Sequence, residues 1–65
     1  MPQALNSSVI ESYDISGADL LITFKGGKTY GYSGAAHLAG GLRTAASAGQ
    51  FFRANILNRF SFVQL

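Results

Sequence analysis

The chain has 65 residues, of which 48% are apolar and 12% are charged, and its formal net charge is +2 at pH 7. Without cysteine it forms no disulfide and no thiolate metal site, and one histidine with three scattered acids makes no zinc or calcium site, so we expect no cofactor. A domain this small buries only about 60% of the surface that its unfolded chain exposes, so we expect a homo-oligomer to cover further apolar surface.

The N-terminal part of the chain predicts one strand after an irregular start. Residues 1–7 have no hydrophobic period, and we expect them to be loosely ordered before a single domain over residues 8–65. They carry no secretory segment, and no apolar run approaches the roughly 18 residues of a membrane span, so we expect a cytoplasmic protein that does not bind membranes. β-Branched and aromatic residues predict a strand between Ser8 and Asp14.

The next segment predicts a β-hairpin. Residues Leu20 to Lys25 alternate between two faces, and a further strand runs from Lys28 to Tyr32. The intervening Gly26-Gly27 suits a two-residue type I′ turn, in which both central residues have positive φ. This loop length predicts that Lys25 lies opposite Lys28, which places both tyrosines of the second strand beside these lysines and away from the Leu20 face.

The letters GGKT within this hairpin resemble the end of a phosphate-binding P-loop. That motif requires a glycine at position 22, where this chain has Ile22. It also requires a helix after the threonine. Because Thr29 leads into a predicted strand, the P-loop interpretation is excluded.

The C-terminal half predicts two helices and an edge strand. Helical spacing of apolar residues extends over Ala35–Ala46 and over Gln50–Arg59, and Ser61–Leu65 alternates as a strand. The pair Gly40-Gly41 either admits another backbone or splits the first helix. The order predicts an α+β fold: a small antiparallel sheet of three strands, or four with the C-terminal edge strand, with two short helices packed on one face.

Two tyrosines and two lysines of the hairpin are candidate ligand contacts. Tyr30 and Tyr32 offer ring faces on which a base can stack. Lys25 and Lys28 offer charges for phosphate. The alternative for the tyrosines is cross-strand packing or a dimer face.

The helices supply four further candidates for binding an anion. Arg43 and Arg53 carry guanidinium groups that suit phosphate, although both also suit a solvated helix surface. Ser47 and Gly49 lie at the start of the second helix, where free backbone amides favour anions, although a capping role explains both residues better than ligand contact does.

The sequence does not predict an enzyme. His37 is the only histidine, and no nucleophile–base spacing, carboxylate pair or metal cluster accompanies it.

Several pieces of the sequence, in order, resemble the KTSC domain, a small family named for the C-terminal domain of some lysyl-tRNA synthetases and found as short proteins in bacteria and phages. The resemblance covers residues 8–65, and its pieces are Tyr13-Asp14, Phe24 with Gly27, Tyr30-Gly31-Tyr32, the segment 46–52 and Asn55-Ile56. Ser33-Gly34-Ala35 replaces a usual proline, and Arg53 replaces a usual asparagine. The resemblance implies a compact α+β module without established catalysis that is proposed to bind RNA.

Composition, candidate residues and resemblance together predict a non-catalytic, oligomeric protein that binds a nucleotide-type anionic ligand. Size and resemblance extend this hypothesis to sequestration of a small nucleotide signal, as in phage proteins that counter host defence. RNA binding and a protein–protein interaction module stay open as alternatives.

Overall fold

The computed structural model describes residues 3–5 and 7–65. Five strands form one antiparallel sheet in chain order, and both helices pack on one of its faces. The elements are β1 (Gln3–Ala4), β2 (Ile10–Ser16), β3 (Asp19–Phe24), β4 (Thr29–Tyr32), α1 (Ala39–Thr44) after a 3₁₀ turn (Ala36–Leu38), α2 (Ala48–Asn55) and β5 (Phe62–Gln64). The predicted α+β fold with a C-terminal edge strand is confirmed.

Strand β1 was not predicted from the sequence. Ala4 pairs with Ser12, and the amide of Leu5 donates to the carbonyl of Glu11 at 3.0 Å. The expectation of a loosely ordered segment over residues 1–7 stays a prediction, because residues 1, 2 and 6 lie outside the described residues.

The loop between β3 and β4 has three residues, whereas a two-residue loop was predicted. The amide of Phe24 donates to the carbonyl of Lys28 at 2.8 Å, and the amide of Gly27 donates to the carbonyl of Phe24 at 3.0 Å. Gly26 and Gly27 have φ of +106° and +95°, as glycine allows. Lys25 therefore joins the loop, and this additional residue moves every β4 side chain to the opposite face relative to β3.

The predicted face of the two tyrosines is therefore wrong. Tyr32 pairs with Leu20 and Tyr30 pairs with Ile22, so both rings lie on the face that the helices cover, which we call the helix-covered face. The other side, the open face, carries Thr23 and its partner Thr29, whose hydroxyl oxygens are 2.8 Å apart.

A bulge in β2 brings two large side chains to the helix-covered face. The pairing with β3 shifts between Ile10 and Ser12. Because of this shift, Ile10 and Tyr13, three residues apart, both point into the core, where they are 0% and 7% exposed.

The hydrophobic core joins the sheet to both helices. Phe52 of α2 packs edge-on against Phe24 and Tyr32, with ring centroids 5.4 and 5.5 Å away. Burial of each large apolar side chain contributes about 1.5–3 kcal/mol. The largest fully buried side chains are those of Ile10, Leu20, Ile22, Leu42 and Ile56.

Both helices are shorter than predicted. The first begins as a 3₁₀ turn and ends at Thr44, whereas the second begins after Ser47, whose Oγ accepts the amide hydrogen of Gln50 at 3.3 Å. This contact confirms Ser47 as the N-cap. The second helix ends at Asn55, before Asn58 at φ +63°.

The pair Gly40-Gly41 neither splits α1 nor admits a second backbone. The helix continues through both residues. A Cβ at position 41 would lie 2.8 Å from Cε2 of Phe51, whereas a Cβ at position 40 would have no neighbour within 4 Å. Only Gly41 therefore has a packing role, because the absence of a side chain at this position leaves room for the Phe51 ring.

We predict that alanine substitutions of these adjacent glycines change stability in opposite directions. Gly40→Ala should raise the free energy of unfolding by about 0.5–1 kcal/mol, because alanine favours the helix. Gly41→Ala should lower it by about 1–3 kcal/mol through overpacking against Phe51. Chemical denaturation of both variants measures the difference, and equal stabilisation by both would contradict the packing role of Gly41.

Candidate functional site

A groove of about 620 Å³ lies on the helix-covered face, between the β3–β4 hairpin, the end of α2 and β5. We call it the aromatic groove because five of the residues that line it carry aromatic rings. Its lining residues are Phe24, Lys25, Gly26, Lys28, Tyr30, Tyr32, Phe52, Leu57 and Phe62.

The rings of the aromatic groove hold one another in place. Tyr30 lies 5.7 Å from Phe24, nearly perpendicular to it, and 5.7 Å from Phe62, while Tyr32 lies 5.6 Å from Phe62. Such pairs contribute about 0.5–1.5 kcal/mol each beyond their burial. Tyr32 is 4% exposed and Phe62 is 56% exposed, whereas Tyr30 is half-buried. Tyr32 therefore belongs to the floor, and Tyr30 and Phe62 present ring surface to solvent.

Two lysines lie at the rim of the aromatic groove. Lys28 lies opposite Phe24 and shares the face of Tyr30, because side chains alternate along a strand. Lys25 occupies the loop, and both lysines are exposed. In the part of the chain that the structure describes, neither lysine forms an ion pair. The groove thus combines an apolar aromatic wall with two cations at one end.

A second cavity, of about 510 Å³, lies at the start of α2, and we call it the polar pocket. Ser47, Gly49 and Arg53 line it together with residues 7–9 of the segment before β2. The Oγ of Ser47 is already used as the helix cap. Phe52 and Leu57 line both cavities, so the polar pocket adjoins the aromatic groove.

The eight candidate residues therefore fall into three places. Four lie in the aromatic groove, namely Lys25, Lys28, Tyr30 and Tyr32, and three lie in the polar pocket, namely Ser47, Gly49 and Arg53. Arg43 is exposed in the last turn of α1 and lines neither cavity. Their role in binding stays a prediction.

Sequence reasoning missed five residues of the aromatic groove. Phe24, Phe52 and Leu57 were not among the candidate site residues, Gly26 was assigned only to the turn, and Phe62 was assigned only to the C-terminal strand. The alternation of Phe24 with Leu20 gave a signal for its face. No sequence signal placed Phe62 beside Tyr30, because that contact depends on β5 pairing with β4.

Burial raises the pKa of Tyr32 above its ordinary value of 10.0, and the neighbouring Tyr30 raises it further. A phenolate is disfavoured where water is excluded. The hydroxyl of Tyr32 is therefore neutral throughout the physiological pH range, and the floor of the groove adds no negative charge that would repel an anion.

The described residues contain no group of three metal-ligating side chains. His37 is exposed and lines neither cavity, and the centroid of its ring lies 6.0 Å from that of the Phe60 ring in an edge-type arrangement. Within the same described part of the chain, no helix has the length and hydropathy that crossing a membrane requires.

Comparison with known proteins identifies a matching family. The family model of the KTSC domain matches residues 6–60, which include the β3–β4 hairpin and both helices. No curated protein matches the chain.

We predict that the stability of the protein depends on the ionisation of Tyr32 at high pH. Because its pKa is higher in the folded state than in the unfolded chain, the folded protein retains a proton that the unfolded chain releases. The free energy of unfolding should therefore be unaffected by this group below pH 10.0 and should fall as pH rises through the raised pKa. Denaturation of wild type and Tyr32→Phe across this range measures the effect, and identical pH profiles would contradict it.

Proposed function

We propose that this chain, which belongs to the KTSC domain family, is a non-catalytic, homo-oligomeric protein that binds a nucleotide-type anionic ligand in the aromatic groove. The observation that carries the proposal is the position of Lys25 and Lys28 at the rim of a groove walled by aromatic rings.

The chemistry of the groove matches the two halves of a nucleotide. A base is flat and apolar on its faces, and stacking on an aromatic side chain contributes about 1–3 kcal/mol per base. Tyr30 and Phe62 present such rings, and both are held by ring contacts in the free protein. A phosphate attached to that base would lie toward the lysines, with which no acid of the described residues forms an ion pair.

The size of the groove suits a small ligand. Its volume of about 620 Å³ lies within the range of roughly 300–1,000 Å³ that is usual for small-molecule sites. Only five basic residues carry the net charge of +2, so long-range attraction to a long polyanion is weak. These two properties favour a mononucleotide or dinucleotide over a nucleic-acid chain.

A small protein that binds a nucleotide without converting it lowers the concentration of the free ligand. We therefore extend the proposal to sequestration of a nucleotide signal. This role requires only a fixed number of sites per subunit.

Tyr30→Leu and Lys28→Gln test the two halves of the groove separately. The probes are ADP-ribose and a cyclic dinucleotide, with ribose 5-phosphate and adenosine as the compounds that lack a base or a phosphate. We expect Tyr30→Leu to weaken binding about tenfold or more through loss of stacking, and Lys28→Gln to weaken it about fivefold to tenfold through loss of a charge-assisted contact. Calorimetric titration measures both effects.

Arg43→Gln is the matched control for Lys28→Gln, because it removes the same charge from an exposed site outside both cavities. The proposal requires this variant to bind like wild type. If both variants weaken binding equally, the ligand responds to net charge and not to the groove.

A single-stranded RNA of about ten nucleotides tests the alternative that the protein binds RNA and not a small nucleotide. Its affinity should fall steeply between about 0.05 and 0.5 M salt, since phosphate contacts release counterions. Tight, salt-sensitive RNA binding without nucleotide binding would replace the proposed ligand by RNA. If neither binds, the proposed function is wrong.

A further inference from the structure

The strand β5 lies at the edge of the sheet without the features that usually protect an edge. Among the described residues it pairs only with β4. Residues 60–65 contain no charged side chain and no proline, and lysine, proline or a bulge are the common means of preventing edge-to-edge association. Phe62, Val63 and Leu65 are 56%, 62% and 67% exposed.

The ladder between β4 and β5 determines which backbone groups of this edge are free. The amide of Ser33 donates to the carbonyl of Ser61 at 2.9 Å, and the amide of Leu65 donates to the carbonyl of Thr29 at 2.8 Å. In an antiparallel pair the direction of these groups alternates along the strand. The amides and carbonyls of Phe62 and Gln64 therefore point away from the sheet.

We propose that β5 pairs antiparallel with β5 of a second copy of this chain, about a two-fold axis at Val63. In this register Phe62 lies opposite the partner subunit's Gln64, and Val63 lies opposite the partner subunit's Val63. The outward amide and carbonyl groups of Phe62 and Gln64 in both subunits are then satisfied by four hydrogen bonds, a self-complementary arrangement.

Charge and strand length both favour a second copy of this chain as the partner that pairs with the β5 edge. The chain has a net positive charge, which opposes self-association, but this edge carries none of it, so like charges do not meet there. An axis at Phe62 would pair residue 60, which precedes the strand, whereas the axis at Val63 uses all three strand residues. The pairing also joins two open faces, on which Val63 contributes apolar surface beside Gly31.

The dimer would complete the aromatic groove with a residue of the partner. Phe62 lines this groove, and in the proposed register the partner subunit's Gln64 lies beside its ring on the helix-covered face, because opposite residues share a face. Its amide can donate and accept hydrogen bonds at the edge of a base. This consequence rests on the proposed function, whereas the pairing itself does not.

Cross-linking through single cysteines tests the pairing and its register, because the chain has no native cysteine. In Val63→Cys the two thiols would face each other at a non-hydrogen-bonded pair, with Cα atoms about 4.5 Å apart, which is within disulfide range. Ser61→Cys is the matched control, exposed and on the same face, but in this register it lies opposite the partner subunit's Leu65. Under mild oxidation we expect a disulfide-linked dimer at least tenfold more abundant for Val63→Cys than for Ser61→Cys.

Gln64→Pro provides a second measurement without cysteine. Proline removes an amide hydrogen that points outward, so the ladder to β4 remains intact. Native mass spectrometry should show wild type at twice its 6.9 kDa mass and Gln64→Pro at the mass of one subunit. Circular dichroism should show that the Gln64→Pro monomer is folded. A monomeric wild type, or equal cross-linking at positions 61 and 63, would overturn the proposed pairing.

Titration of wild type and Gln64→Pro with ADP-ribose separates this inference from the proposed function. Weaker binding by the folded monomer, at least threefold, would support a contribution of the partner to the groove, and equal binding would overturn that contribution. A monomeric wild type that binds the nucleotide contradicts the dimer and the homo-oligomeric part of the proposed function, but not the proposed ligand. A dimer that binds neither ADP-ribose nor the cyclic dinucleotide contradicts only the proposed ligand.

Discussion

The hydrogen bond from the amide of Phe24 to the carbonyl of Lys28 fixes the register of the β3–β4 hairpin, and the position of the aromatic rings depends on that register. It directs Tyr30 and Tyr32 toward the helices. The residue between them on the strand, Gly31, then lies on the open face, where Leu21 approaches the position of its absent Cβ to 3.2 Å. A shift by one residue would expose both tyrosines and bury no ring in their place.

The rings of the aromatic groove serve the core and the candidate site together. Phe52 is buried against Phe24 and Tyr32, and the same three residues line the cavity that a ligand would enter. In a chain of 65 residues there is too little interior for separate core and binding layers. One consequence is a site that is already shaped before a ligand binds, which lowers the entropic cost of ordering side chains on binding.

Local patterns were sufficient for most elements of the fold. Alternation predicted β3 and the edge strand β5, and the position of Ser47 before an apolar helical stripe predicted its cap. The two-residue loop was wrong because Gly26-Gly27 fits loops of two and of three residues, and nothing local to the turn distinguishes them. Burial distinguishes them, since only the longer loop directs both tyrosines to the helix-covered face.

The candidate site was predictable in its residue types and not in its shape. Tyr30 and Lys28 share a face in any regular strand, because side chains alternate along the backbone, so the sequence by itself determined that a ring and a cation lie together. Only the tertiary structure decided that Phe62 lines the aromatic groove and that Arg53 lies in the polar pocket, apart from the two lysines. These contacts join segments more than twenty residues apart in the chain, and their geometry follows from how helices and strands pack rather than from any local preference.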